Sequence, residues 1–187
     1  MTRYGMLINT KKCVGCYACR MACQMINKLE PEEAFISYKE IEQGTYPSVY
    51  AETVPVQCMH CENAPCQQVC PTHATYITDS GVVLVDENKC IGCKYCMAAC
   101  PYGARIVREE TGVVEKCRFC WEDGKPGNPP ACVGTCISGA RVFGDLDDPQ
   151  SDVSKLRAAK KTYKLKDVGN HPGVDYAMDK CAWKGDE

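Results

Sequence analysis

Sixteen of the seventeen cysteines fall into four sets of four, spaced as ligands rather than as disulfide partners. The first set is Cys13, Cys16, Cys19 and Cys23, and the second is Cys58, Cys61, Cys66 and Cys70. The third is Cys90, Cys93, Cys96 and Cys100, and the fourth is Cys117, Cys120, Cys132 and Cys136. Three cysteines two residues apart wrap one loop around three corners of a tetrahedral centre. A fourth, three residues on, opens a helix and points away. That geometry suits iron–sulfur cubanes, each of which takes four thiolates. Gly15 and Gly92 lie inside their loops, where the missing side chain lets the backbone curl and bring N–H groups toward sulfur. Cys181 is left over and reads as a free thiol.

Other chemistries fit these residues less well. Zinc sites pair two C-x2-C knuckles and have no use for a third cysteine two residues later. Cysteines this close in sequence are poorly placed to bridge to distant partners as disulfides. Cys58-x-His60 and Cys70-x2-His73 imitate the mixed ligand set of a Rieske centre, but accepting it strands Cys61 and Cys66. His60 and His73 are expected behind the ligands or at the surface. No nucleophile–base arrangement stands out, so the protein by itself is expected to be non-catalytic, with one-electron transfer as its chemistry.

The rest of the composition must support those loops. With 187 residues the chain makes one or two small domains. A net charge of −2, from 22 basic and 24 acidic residues, gives no support for nucleic-acid binding. Leu, Ile, Val and Phe make up under a fifth of the chain, without the high net charge of a disordered one. Clusters must therefore replace part of the core, and losing metal should unfold the chain. No run of eighteen apolar residues exists, so no membrane-spanning helix is expected. The first ten residues read as a short strand without a signal peptide's apolar stretch. The chain is expected to stay in the cytoplasm or to be exported bound to a partner that carries the signal.

The second and third sets resemble one complete bacterial two-cluster ferredoxin. Nineteen residues separate Cys70 from Cys90, Pro71 and Pro101 follow the last cysteines, and Ile77–Asp86 reads as a hairpin. The first and fourth sets then pair with each other, and Tyr4–Asn9 and Arg141–Gly144 are both strand-like. The expected fold is α+β, two nested ferredoxin-like units with short β-hairpins and short helices. The outer unit is 1–30 plus 108–146, the inner unit is 54–107, 31–53 is a connecting insert, and 147–187 is a tail packing on a partner. Four [4Fe–4S] clusters follow. Cluster one takes Cys13, Cys16, Cys19 and Cys136; cluster two takes Cys58, Cys61, Cys66 and Cys100. Cluster three takes Cys90, Cys93, Cys96 and Cys70; cluster four takes Cys117, Cys120, Cys132 and Cys23. Sequential pairing of the sets, first with second and third with fourth, is the rival arrangement.

Outside the sets, Met25–Glu33 is expected to be a short helix, and Ser37–Val56 a pair of strand-like stretches broken by Gly44 and Pro47. This link is the expected partner-docking surface. Glu122–Pro130 is a turn-rich loop, Asp152–Lys161 a helix, and His171-Pro172-Gly173 a turn. Lys160, Lys161, Lys164 and Lys166 read as a solvated helix face, with contact to acidic lipid or a partner as the alternative. Trp121 either shields a cluster or is an ordinary core aromatic.

The whole set of cysteines resembles that of the iron–sulfur beta subunits of molybdopterin oxidoreductases of the dimethyl-sulfoxide reductase family, most closely those of polysulfide and thiosulfate reductases. The resemblance runs from Arg3 to about Leu146. Its marks are Lys12-Cys13-Val14-Gly15-Cys16, the run Gln57–Cys66, Cys90-Ile91-Gly92-Cys93, Ala99-Cys100-Pro101-Tyr102 and Phe143-Gly144-Asp145-Leu146. The fourth set, with its eleven-residue gap, is the most diagnostic. The resemblance implies an electron-transfer subunit of anaerobic respiration. Four clusters would line up between a molybdenum or tungsten catalytic subunit and a membrane quinone-reactive subunit. It implies a peripheral place at the membrane, periplasmic by co-export, with the cytoplasm as the alternative. Related complexes of formate, arsenate, sulfite, tetrathionate or dimethyl-sulfoxide metabolism fit the same pattern. Gln24 and Ile137 depart from the proline common after a fourth cysteine, and Ile137 is expected to alter its turn.

Overall fold

The computed structural model describes residues 2–122, 126 and 129–177; Cys181 and most of the Glu122–Pro130 loop lie outside them. Strand β1 (Tyr4–Asn9) is the apolar run near the start of the chain, buried from Gly5 onward. A short 3-10 turn leads into the first cysteine loop, and α1 (Ala18–Asn27) follows. The helix starts earlier than expected and ends at Asn27, because Lys28 turns left-handed and Pro31 disfavours helix in the residue before it. Gln24 fixes the next turn by donating Nε2 to the carbonyls of Pro31 (3.1 Å) and Glu33 (2.8 Å).

The link from Ser37 to Val56 is a hairpin, β2 (Ser37–Thr45) and β3 (Ser48–Val56), turning at Tyr46-Pro47, with the expected breaker Pro47 in the turn and Gly44 still paired inside β2. Its base is buried at Val54 and Val56, while Tyr46 at its tip is 92% exposed. Next come α2 (Pro65–Gln68), the hairpin β4 (Thr75–Ile77) and β5 (Val83–Val85), and α3 (Tyr95–Ala98). A small hairpin, β6 (Ile106–Val107) and β7 (Val114–Glu115), straddles the expected seam at 107/108. The chain continues through α4 (Ala131–Gly134), β8 (Arg141–Asp145), α5 (Asp152–Ala159) and β9 (Val174–Ala177).

Pairing across the chain makes the fold nested. β1 runs antiparallel to β8, with Tyr4 opposite Asp145 and Ile8 opposite Arg141. α1 packs on α4, and α2 packs on α3. The segments of the first and fourth cysteine sets thus enclose those of the second and third, giving an α+β fold of two ferredoxin-like units.

Through Ala177, the segment expected to be a tail packs on the protein's own core. β9 adds to β1 as a parallel strand, and Leu165, Val174 and Tyr176 are fully buried. Tyr176 also donates its hydroxyl to the Pro55 carbonyl at 2.7 Å. The signal was weak because β9 is short and carries the buried Asp175, and it pairs with a strand at the other end of the chain. The lysine stretch is not a helix face. α5 ends at Ala159, Lys161 lies over the Tyr163 ring at 5.4 Å, and Lys164 donates to the Pro172 carbonyl. Among the described residues no helix is long and apolar enough to cross a membrane.

Candidate metal centres

All four cysteine loops use one backbone device. The residue before the second cysteine is left-handed in each: Gly15 (φ 63°), His60 (43°), Gly92 (66°) and Phe119 (53°). This turn aims N–H groups at sulfur, as Gly15 does to Cys13 and Phe119 to Cys117. Glycine takes this conformation freely, whereas a side chain there is strained and needs support from packing. His60 and Phe119 supply that support to each other, their rings stacked at 3.7 Å in the core. The Val83 N–H donates to His60 Nδ1 at 3.1 Å, which leaves the ring proton on Nε2, buried without a partner. Burial holds the ring well below its usual pKa, and the Lys116 and Arg105 charges push the same way. His60 is therefore a core residue, while His73 is exposed. Gly15 and Gly92 were the only sequence signal for a requirement that all four loops share.

The cysteines gather in sets that cross between loops. Cys58, Cys61, Cys66 and Cys100 line one cavity, and Cys70, Cys90, Cys93 and Cys96 a second. Cys23, Cys117, Cys120 and Cys132 line a third. Cys13 and Cys19 are close enough to Cys136 for their charges to act together. Among the described residues, no group of three or more His, Cys, Asp or Glu is placed to hold a single metal ion. The sulfurs instead surround cavities, as a multi-iron cube requires.

The electrostatics fit thiolate ligands of a cationic core. Burial pushes Cys23 and Cys61 up to about 12, with neighbouring thiolates adding to the shift and Asn27 and Asn170 opposing it. Burial likewise raises Cys132 to about 11 and Cys117 well above its usual value. Such groups lose their protons when positive metal arrives to bind them. Cys70 and Cys136 differ. Burial raises both, but hydrogen bonds prevail and hold them low: the Thr75 N–H leads at Cys70 and the Ser138 hydroxyl at Cys136.

The sets adjoin one another in a definite order. Cys19 acts on Cys132, Cys58 on Cys117, and Cys66 on Cys96. This places the Cys13 set next to the Cys117 set, then the Cys58 set, then the Cys90 set. The middle sets are mostly buried, whereas Cys16 and Cys93 at the two ends are exposed. Val14 beside Cys13 and Ile91 beside Cys90 are exposed too, at 64% and 67%.

Some neighbours of these sulfurs had no local signature. The Tyr38 hydroxyl lies 3.0 Å from Cys19 Sγ, and the Tyr38 and Tyr17 rings meet at 4.2 Å. The base of the β2–β3 hairpin thus covers the first loop. Asn170 is buried and donates Nδ2 to Cys61 Sγ at 3.0 Å and to the Tyr102 hydroxyl at 2.8 Å, from 109 residues along the sequence. Trp121 lies with Tyr76, Leu84 and Lys116 at the rim of a separate cleft.

Comparison with known proteins gives a consistent picture. The 4Fe–4S dicluster domain family matches residues 49–146, and a second 4Fe–4S dicluster domain family matches residues 12–74. The chain is 40% identical to the thiosulfate reductase electron transfer subunit PhsB of Salmonella typhi, over 89% of this chain and 87% of that protein. It is 39% identical to the B component of polysulfide reductase from Wolinella succinogenes, over 91% of each. It is 39% identical to the B component of tetrathionate reductase from Salmonella typhimurium, over 93% of this chain and 72% of that one. Two dicluster domains account for four [4Fe–4S] clusters.

Proposed function

We propose that this protein, a member of the iron–sulfur electron-transfer subunits of the dimethyl-sulfoxide, tetrathionate, thiosulfate and polysulfide reductases, relays single electrons between two partner proteins. The partners are a molybdopterin catalytic subunit and a membrane quinone-reactive subunit. The complex sits at the membrane surface, exported with its catalytic subunit. When bound, the clusters supply one-electron sites whose potentials the surroundings set.

The single observation that carries this reading is the order of the cysteine sets. Two buried sets lie between two whose loops reach the surface, each end flanked by an exposed apolar residue, Val14 or Ile91. Such an arrangement passes charge across the subunit and offers a docking face at either end. The protein insulates the interior with Phe119, His60 and Tyr176 and leaves no substrate chemistry to this chain. The outer unit, 1–30 with 108–146, holds the end at Cys16; the inner unit, 54–107, holds the end at Cys93. The 31–53 insert, with its exposed hairpin tip, and the exposed residues of 147–177 add surface for partners.

The ligand sets within this proposal are Cys13, Cys16, Cys19 and Cys136; Cys58, Cys61, Cys66 and Cys100; Cys90, Cys93, Cys96 and Cys70; and Cys117, Cys120, Cys132 and Cys23. Changing Cys23 to Ser should disturb the cluster of the fourth set and spare that of the first, read by electron paramagnetic resonance. The opposite loss rejects the assignment. Val14→Glu should slow exchange with one partner and Ile91→Glu with the other, with four clusters still loaded. Unchanged exchange in both variants would overturn the relay path.

A further inference from the structure

Buried positive charge is costly unless an anion answers it. Among the described residues three cations are buried: Arg105, Lys116 and Arg141. Lys116 is satisfied, because Nζ donates to the carbonyls of Val83 and Cys117. The arginines are not. Arg105 Nη1 and Nη2, and Arg141 Nη2, are buried with no oxygen acceptor, and the Arg105 guanidinium turns instead to the sulfurs of Cys66 and Cys96. Arg141 Nη1 donates to Gln57 Oε1 at 2.6 Å and to Met6 Sδ at 3.5 Å, both neutral groups. Two buried carboxylates, Glu33 and Asp175, pair with Arg108 and Arg157, and the third, Glu52, pairs with neither buried arginine.

The two arginines occupy one position in two units. Each ends a Gly-Ala-Arg run, Gly103-Ala104-Arg105 or Gly139-Ala140-Arg141, and each lies five residues after a crossing cysteine, Cys100 or Cys136. Both glycines are left-handed with φ 59°. Each arginine also stands between two cysteine sets. Arg105 lines both the Cys58 cavity and the Cys70–Cys90 cavity. The charges acting most strongly on Arg141 are those of Cys132 in one set and Cys19 in the next.

We infer that Arg105 and Arg141 are each the shared counter-ion of the two clusters in their own unit, and that each holds the reduction potentials of its pair up. The inference rests on the ligand sets proposed above. A cluster with four thiolates is anionic and gains a further negative charge on reduction. A fixed cation between two of them favours the reduced form of both. It also offsets the repulsion that an electron on one exerts on its neighbour.

The test uses the intact complex and four variants: Arg105→Gln, Arg105→Lys, Arg141→Gln and Arg141→Lys. Iron and sulfide are counted first, and the cluster signals are then titrated against potential by electron paramagnetic resonance. Arg105→Gln should weaken reduction of clusters two and three by at least about tenfold, or ~59 mV for a one-electron couple. Clusters one and four should move less, Arg141→Gln should give the reciprocal pattern, and the lysine variants should restore most of the shift. Loss of clusters from a glutamine variant but not from its lysine counterpart also supports the inference. Unchanged potentials in fully loaded protein, an equal fall at all four clusters, or lysine variants as impaired as the glutamine ones would overturn it. A wild-type count other than four cubanes would instead overturn the ligand sets.

Discussion

The inner unit is closed by very little regular structure. Its hairpin β4–β5 pairs three residues with three, and α2 and α3 are each a single turn. The outer unit is built around the β1–β8 pair, widened to a three-stranded sheet by β9 from the later segment, with a ten-residue α1 packed on α4. Yet both units use the same left-handed turns before the second cysteine and after the crossing ones. The His73, Gly103 and Gly139 N–H groups close the three later turns onto Cys70, Cys100 and Cys136 carbonyls at 3.3, 3.3 and 3.1 Å. Ile137, expected to alter its turn, leaves it intact and points outward, 78% exposed. Gln24 stands where proline would break α1, because Cys23 lies inside that helix. The left-handed turn before the second cysteine is therefore constant across the four loops, while the helical setting of Cys23 and the scaffold behind the loops vary.

Chelating the iron should erase that difference. Buried cysteines are interleaved with the aliphatic and aromatic side chains of the main core, so cluster removal is expected to unfold the whole chain, read as loss of far-ultraviolet circular dichroism. An outer sheet that survives chelation would show that β8-β1-β9 stands without metal. Tyr176→Ala comes next. It empties a fully buried site on β9 and should cost about 3–5 kcal/mol by analogy with other large aromatic truncations. Hydrogen exchange should rise at β1 before it rises at β4, and uniform loss of protection would mean the two units unfold as one.

The paired glycines separate the units more finely. Alanine at either left-handed position costs about 1–2 kcal/mol in backbone strain. The cost should be larger at Gly92, where a Cβ would lie 2.9 Å from the Gly112 carbonyl oxygen. At Gly15 it would meet the Thr53 hydroxyl at 3.1 Å, a side chain that can turn away. Thermal unfolding of the two loaded variants gives the ranking. Asn170→Ala should cost about 1 kcal/mol for each hydrogen bond it removes, those to Cys61 Sγ and the Tyr102 hydroxyl and that from the Val168 N–H. Its signature should be a lower reduction potential for the cluster at Cys61 alone, since Asn170 is the 147–177 segment's contact with a sulfur of the inner unit.

Spacing alone identified the sixteen cysteines and the β1–β8 closure, because ligand loops and apolar runs are local patterns. The two hairpins at Ser37–Val56 and Ile77–Asp86 were legible for the same reason, marked by Gly44, Pro47 and Gly81. The α1 boundaries were not, since the left-handed turn at Lys28 has no composition signal. Asn170, Tyr38 and β9 reach the clusters or the core from distant parts of the chain, and no single window of sequence contains such a contact. The same holds for Arg105 and Arg141. Gly-Ala-Arg is visible twice in the sequence, but only the folded protein strips both guanidinium groups of water and sets them between pairs of cysteine sets. Local sequence determines what can bind metal, because three cysteines of each set come from one stretch of chain, while the fourth crosses over from another. Charge, burial and the order of the sites depend on which distant segments exclude solvent together, and that is settled only in three dimensions.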